Sequence, residues 1–204
     1  MFKTNDGKRF CIATTRFNLK TLKENREYLK KLNNLYENSN DGRHCVYGSP
    51  SIMDDSISPH IPIFVIEMLN VSQRHHLYPG KIVGIGIIRN RTIDESYRIY
   101  SKHNYNRHIY LGANRISVSK DALNEHEQSL IRRMEFALFY GSRHHKRSDG
   151  ITKLPQYILD AFPSFAAFLI ERVKQKEDKT NINTISYENI IKTKQIKVTQ
   201  QNGL

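Results

Sequence analysis

The stretches Ile61-Pro-Ile-Phe-Val-Ile-Glu-Met-Leu69 and Lys81-Ile-Val-Gly-Ile-Gly-Ile-Ile88 decide the fold class. Each is a short apolar run, rich in β-branched residues and bounded by turn-forming ones, so each predicts a buried strand. The first carries a single charge, Glu67. The second contains Gly84 and Gly86, two residues apart and therefore on one face of the strand. Glycine inside a strand marks a bend or a place where another group comes close. These glycines do not open a helix in a Gly-x-Gly-x-x-Gly pattern, so they give no support to a dinucleotide site.

Outward from this pair, strands bunch together. Arg9 to Thr14 predicts a first strand, and His44 to Tyr47 a short one ended by Gly48-Ser49-Pro50. Tyr97 to Tyr100, Arg107 to Leu111 and Arg115 to Val118 predict three more. Between the first two a helix is expected. Thr21 and Glu24 form a capping-box pattern, and Leu22, Leu29, Leu32 and Tyr36 recur near helical spacing. A second helix should start from Asn124 as N-cap with Glu127 three residues on. It would bury Leu130, Ile131, Met134, Ala137 and Leu138 and stop at Gly141. Pro155 to about Lys174 predicts a third helix, interrupted at Pro163. Strands gathered in the middle with helices around them mean an α+β fold. The expected core is a central antiparallel sheet of five to seven strands, able to curl toward a barrel, with flanking helices. Residues 1–175 are expected to form a single basic domain. Residues 176–204, rich in Lys, Asn and Gln, are expected to be a loosely attached or partly disordered tail.

Of the 204 residues, 32 are Lys or Arg and 20 are Asp or Glu, a net charge of +12. Such a surplus bears on partners rather than fold and points to polyanions, nucleic acid first. The two cysteines, Cys11 and Cys45, make no disulfide framework, and no secretory pattern precedes them. An intracellular, reducing compartment, cytoplasm or nucleus, is therefore expected. No apolar run approaches the roughly 20 residues needed to span a bilayer, so no membrane insertion is expected.

Two basic segments carry the functional expectation. The first runs from Arg89 to Lys120. In it Arg89, Arg91, Arg98, Lys102, Arg107 and Arg115 are interleaved with Tyr97, Tyr100, Tyr105 and Tyr110, against only Asp94 and Glu95. Cations neutralise phosphates and aromatic faces stack on bases, which is the chemistry of single-strand binding. Strand alternation could equally separate arginines and tyrosines onto opposite faces, leaving a solvated surface. The second segment is the loop Gly141-Ser-Arg-His-His-Lys-Arg-Ser-Asp-Gly150, continuing to Lys153. Arg143, His144, His145, Lys146, Arg147 and Lys153 are the candidate contacts, with Tyr105 the aromatic one in the first segment. Cations just after a helix C-terminus also have a purely structural reason, the helix dipole. If the two segments met six phosphates, the log-log salt slope would be about −4 to −5.

Catalytic chemistry is weakly marked. Nine histidines include the pairs His75-His76 and His144-His145, but no zinc-ligand spacing is present. No metal and no cofactor is expected. His144 or His145 beside Lys146 has the chemistry of a general base for phosphodiester cleavage, without a recognisable partner. Glu67 with Asp54 and Asp55 faintly suggests a metal-dependent nuclease. Leu69 stands where such a site would need a lysine, and Glu67 reads as an edge or ion-paired residue. Cys45 beside His44 reads as a buried thiol, since neighbours on a strand face opposite ways.

At Ile63–Asn70, Lys81–Asn90 and Tyr105–Gly112 the chain resembles an uncharacterised family carried by large nucleocytoplasmic DNA viruses; the Cys45–Pro50 turn and the Arg-His-His-Lys-Arg loop fit the same pattern. That resemblance implies a viral protein working in a host cell and supplies no catalytic residues. More remotely, Pro79-Gly80 leading into Lys81-Ile-Val-Gly-Ile-Gly86 is similar to the PUA-like group, with its EVE, ASCH and YTH domains. That likeness implies a small barrel reading RNA or modified bases. This chain departs from it in lacking tryptophan for an aromatic cage and in its long early helix. The expected function is a nucleic-acid-binding module. The alternatives are a nuclease or other nucleic-acid-processing enzyme, and a scaffold that binds protein partners. RNA versus DNA and the oligomeric state are open at this level.

Overall fold

A computed structural model describes residues 2–3, 9–35, 44–70, 80–93, 97–140, 145 and 149–175. The chain divides into two compact units, Met1–Phe165 and Ala166–Leu204. In the second, residues 166–175 are helical, and Ala166, Phe168 and Leu169 are buried. The predicted tail lies outside the described residues.

The first unit is α+β, as its strand-rich middle predicts. In chain order it comprises β1 (Phe2–Lys3), β2 (Arg9–Phe17), α1 (Leu19–Leu35), β3 (Cys45–Ser49), β4 (Ile63–Asn70) and β5 (Gly80–Ile88). There follow β6 (His108–Gly112), β7 (Asn114–Ile116), α2 (Glu125–Phe139), β8 (Ile151–Lys153) and α3 (Gln156–Ala161). The main sheet has six strands in the order β1-β2-β4-β5-β7, with β8 added to β2, and β3 pairs with β6 in a separate ribbon.

Two expectations about the sheet are corrected. It is open, with no closed barrel among the described residues. It is also mixed, because β2 and β4 run parallel from Cys11↔Ile63 to Phe17↔Leu69. The reason is the connection: α1 and β3 lie between the two strands and return the chain to its starting edge, as parallel pairing requires. Both strands are buried on both faces, the usual state of parallel strands. Odd-numbered Cys11, Ala13, Phe17, Ile63, Val65 and Leu69 join β3 and β6 residues in one core. Even-numbered Phe10 and Phe64 meet edge to face at 5.6 Å on the other face.

Helix ends follow their side chains. Asn124 and Glu127 form the expected reciprocal capping box of α2, each side chain accepting the other's backbone N–H at 2.9 Å. α1 starts earlier than the Thr21–Glu24 pattern predicts. Asn18 caps it, accepting from the Thr21 N–H at 2.8 Å, while the Thr21 hydroxyl accepts from the Asn18 N–H at 3.0 Å. α2 packs on β5, and the Glu135 carboxylate accepts the Ile82 N–H at 2.8 Å. Tyr97 to Tyr100 is not a strand. The Asn106 side chain takes both the Ile99 and Tyr100 N–H groups at 2.9 Å, doing a partner strand's work. Conversely, Ile151–Lys153, expected as loop, pairs antiparallel with Ala13–Thr15. The third helix breaks at Phe162, next to the expected Pro163, and resumes over residues 163–175.

Candidate functional site

Parallel β2 and β4 both end at one cleft. α1 begins there, with Asn18 and Thr21 on its wall. Ligands of open sheets with parallel strands commonly sit at these carboxyl ends, where a following helix presents its positive end. The cleft measures about 250 Å3, below the roughly 300 Å3 at which drug-sized pockets start. It suits one small group.

Its walls are mainly polar and charged. Arg16, the penultimate residue of β2, donates to Asn70 Oδ1 at 3.2 Å and to the His145 carbonyl. Its guanidinium lies over the Phe139 ring, 5.7 Å from the centroid. Also lining the cleft, Lys102 Nζ sits 4.8 Å from the centroid of Tyr105, a cation–π contact. Tyr105 meets Tyr100 edge on at 6.3 Å and donates its hydroxyl proton to Asp149 Oδ1 at 2.8 Å. That bond, more than burial, raises the Tyr105 pKa above 10.0. Tyr100 is fixed from behind by Asn25 Nδ2 at 3.1 Å, and burial pushes its pKa up to about 12. The site thus offers two cations, two held aromatic rings, one carboxylate and several amide and hydroxyl groups.

The predicted residues divide sharply. Lys102 and Tyr105 meet in the cleft. His145 is buried beside it, its Nε2 2.9 Å from the Thr14 hydroxyl. Arg89 sits at the opposite end of the sheet, donating to the His60 carbonyl, where Ile63 pairs with Ile88. The β2–β4 register puts roughly 20 Å between these ends. Lys153 lies toward the Arg89 end, opposite Ala13. Arg91, Arg98 and Arg107 are exposed. Arg143, His144, Lys146 and Arg147 lie outside the described residues.

Arg115 points inward. It donates to Glu67 through Nε at 3.1 and 3.2 Å and through Nη2 at 2.7 Å, and Nη2 also reaches the Val83 carbonyl at 2.6 Å. Arg26 of α1 bonds the same carboxylate, and the Tyr47 hydroxyl donates to it at 2.8 Å. Burial alone would raise the Glu67 carboxyl. The hydrogen bonds and charges of Arg115, then those of Arg26, overcome burial and hold it below 4.5. Glu67 is ion-paired, as its isolation in an apolar strand suggests. Gly84 and Gly86 explain how the cluster fits. A Cβ at Gly84 would lie 1.9 Å from Arg115 Nη2, and one at Gly86 1.9 Å from the Tyr47 hydroxyl. The β4–β5 register slips at Val83, freeing the carbonyl that Arg115 uses. Cys45 is buried beside Tyr47, and burial, then Glu67, pushes its thiol up to about 12.

Sequence reasoning missed Arg16, Asn18, Asn70 and Asp149 as cleft residues, and it named Tyr100 only among the interleaved tyrosines. One signal was available: Arg16 precedes a helix start at a strand end, a junction suited to anions. No group of three or more metal-ligating side chains is assembled among the described residues. No helix among them is long and apolar enough to cross a membrane.

Comparison adds no relative. The chain matches no family model, no curated protein and no solved structure.

Proposed function

We propose that this protein binds single-stranded nucleic acid, seating one base or one phosphate group in the cleft at the ends of β2 and β4. One observation carries the reading: Lys102, lying over the Tyr105 ring, and Arg16 line one cleft that is too small for a duplex. Cations there neutralise phosphate, and an aromatic ring offers a stacking face. The net charge of +12 favours the encounter. The cationic segment Arg143 to Arg147 contributes to that charge.

The test is titration of a labelled 12-mer oligonucleotide at two salt concentrations. Lys102→Glu should weaken binding and flatten the log-log salt slope by about one. No binding at low salt, or a Lys102→Glu variant equal to the parent, would sink the reading.

A further inference from the structure

Arg132, Phe136 and Tyr140 follow one another at intervals of four residues along α2 and its C-cap, so they form a single row on the helix surface. The Phe136 and Tyr140 rings are stacked, 5.3 Å between centroids and 11° between planes. Phe136 is 64% exposed, a large apolar ring left in water. Arg132 is exposed one turn before it, and Arg133 lies over the Phe162 ring on an adjacent line. Phe139, next to Tyr140 in the chain but buried, lies under the Arg16 guanidinium. The chain then enters the basic loop.

Stacking of the exposed Phe136 ring on the half-buried Tyr140 ring adds little to the helix itself. With Arg132 one turn away and a strongly cationic chain around it, the ring has the makings of a stacking platform. We infer that Phe136, backed by Tyr140, forms a second base-stacking site for single-stranded nucleic acid. This rests on the nucleic-acid reading of the cleft. The occupant is a base, since the exposed ring offers a π-face with a guanidinium beside it for the neighbouring phosphate.

The chain has no tryptophan, so Phe136→Trp places the sole indole on the platform. Titration with single-stranded oligothymidylate should quench its fluorescence, and a duplex of equal length should not. Phe136→Leu keeps bulk and helix propensity but removes the ring, and should weaken binding roughly 5- to 100-fold with an unchanged salt slope. Phe136→Tyr should restore parental affinity. An unquenched indole, or Phe136→Leu binding like the parent while Lys102→Glu is weakened, overturns the platform and leaves the cleft reading standing. A parent chain that binds no oligonucleotide at low salt overturns both.

Discussion

A single atom decides whether the centre of this molecule can close. Gly86 has no Cβ, and the Tyr47 hydroxyl fills that space on its way to Glu67. Gly86→Ala should cost about 2 kcal/mol, as overpacked cores do, because Tyr47 is fully buried and cannot swing aside. Urea midpoints measure this. Adding Tyr47→Phe removes the clashing oxygen, so the double variant should be more stable than the two separate losses summed. A Gly86→Ala chain as stable as the parent would mean the hydroxyl lies elsewhere. The glycines were legible in sequence as a place of close approach. What approached was not, since Tyr47, Glu67 and Arg115 come from three strands far apart in the chain. Arg115 was grouped with the surface cations for the same reason. A run of charge does not say which face each residue takes, and the short strand β7 turns this one inward.

Helix ends follow local rules, and here they behave independently. Asn124→Ala should lower stability by about 1 kcal/mol, and so should Asn18→Ala, through loss of one N-cap each. The two caps bond to different partners, Thr21 and Glu127, so the losses should add to within about 0.5 kcal/mol, read from urea midpoints. A marked departure from additivity would show α1 and α2 to be coupled. The cap of α2 was readable because its box is reciprocal and followed at once by an apolar stripe. That of α1 was misplaced by three residues, since Thr21 fits the pattern for an N-cap while serving as the partner of Asn18. Strand existence was readable from apolar runs. The direction of β2 against β4 was not, because pairing depends on residues fifty apart rather than on either run alone.

Taken whole, this is a highly cationic molecule with one carboxylate at its centre. Glu67 has a folded pKa below its ordinary 4.5, so its stabilising effect is fully present above that value. The effect is lost as pH falls through the lower folded value, while every added proton increases self-repulsion. The parent should therefore lose stability steeply below about pH 4.5. Glu67→Gln should be weaker at neutral pH by about 3 kcal/mol, the low end for a broken buried pair. Arg26 and Arg115 keep 32% and 22% of their side chains exposed, which softens the loss. The acid limb of the variant should also be flatter, as followed by circular dichroism; an unchanged limb would show that other carboxylates govern it. The cleft was only half visible in sequence. Lys102 and Tyr105 stood out as a basic-aromatic pair, whereas Arg16 and Asn70 converge because two strands run the same way, and Asp149 joins them through the antiparallel pairing of Ile151 with Thr15.

That shared direction also sets a schedule. β2 is made well before its partners: β4 emerges some fifty residues after it, and β8, which sets Thr152 opposite Thr14, far later again. Until they arrive the nascent chain carries a β-strand with bare backbone donors and acceptors, the template that foreign strands add to. The three residues Ile151-Thr-Lys153 cover Ala13–Thr15, so that part of the rim is closed off only after their release.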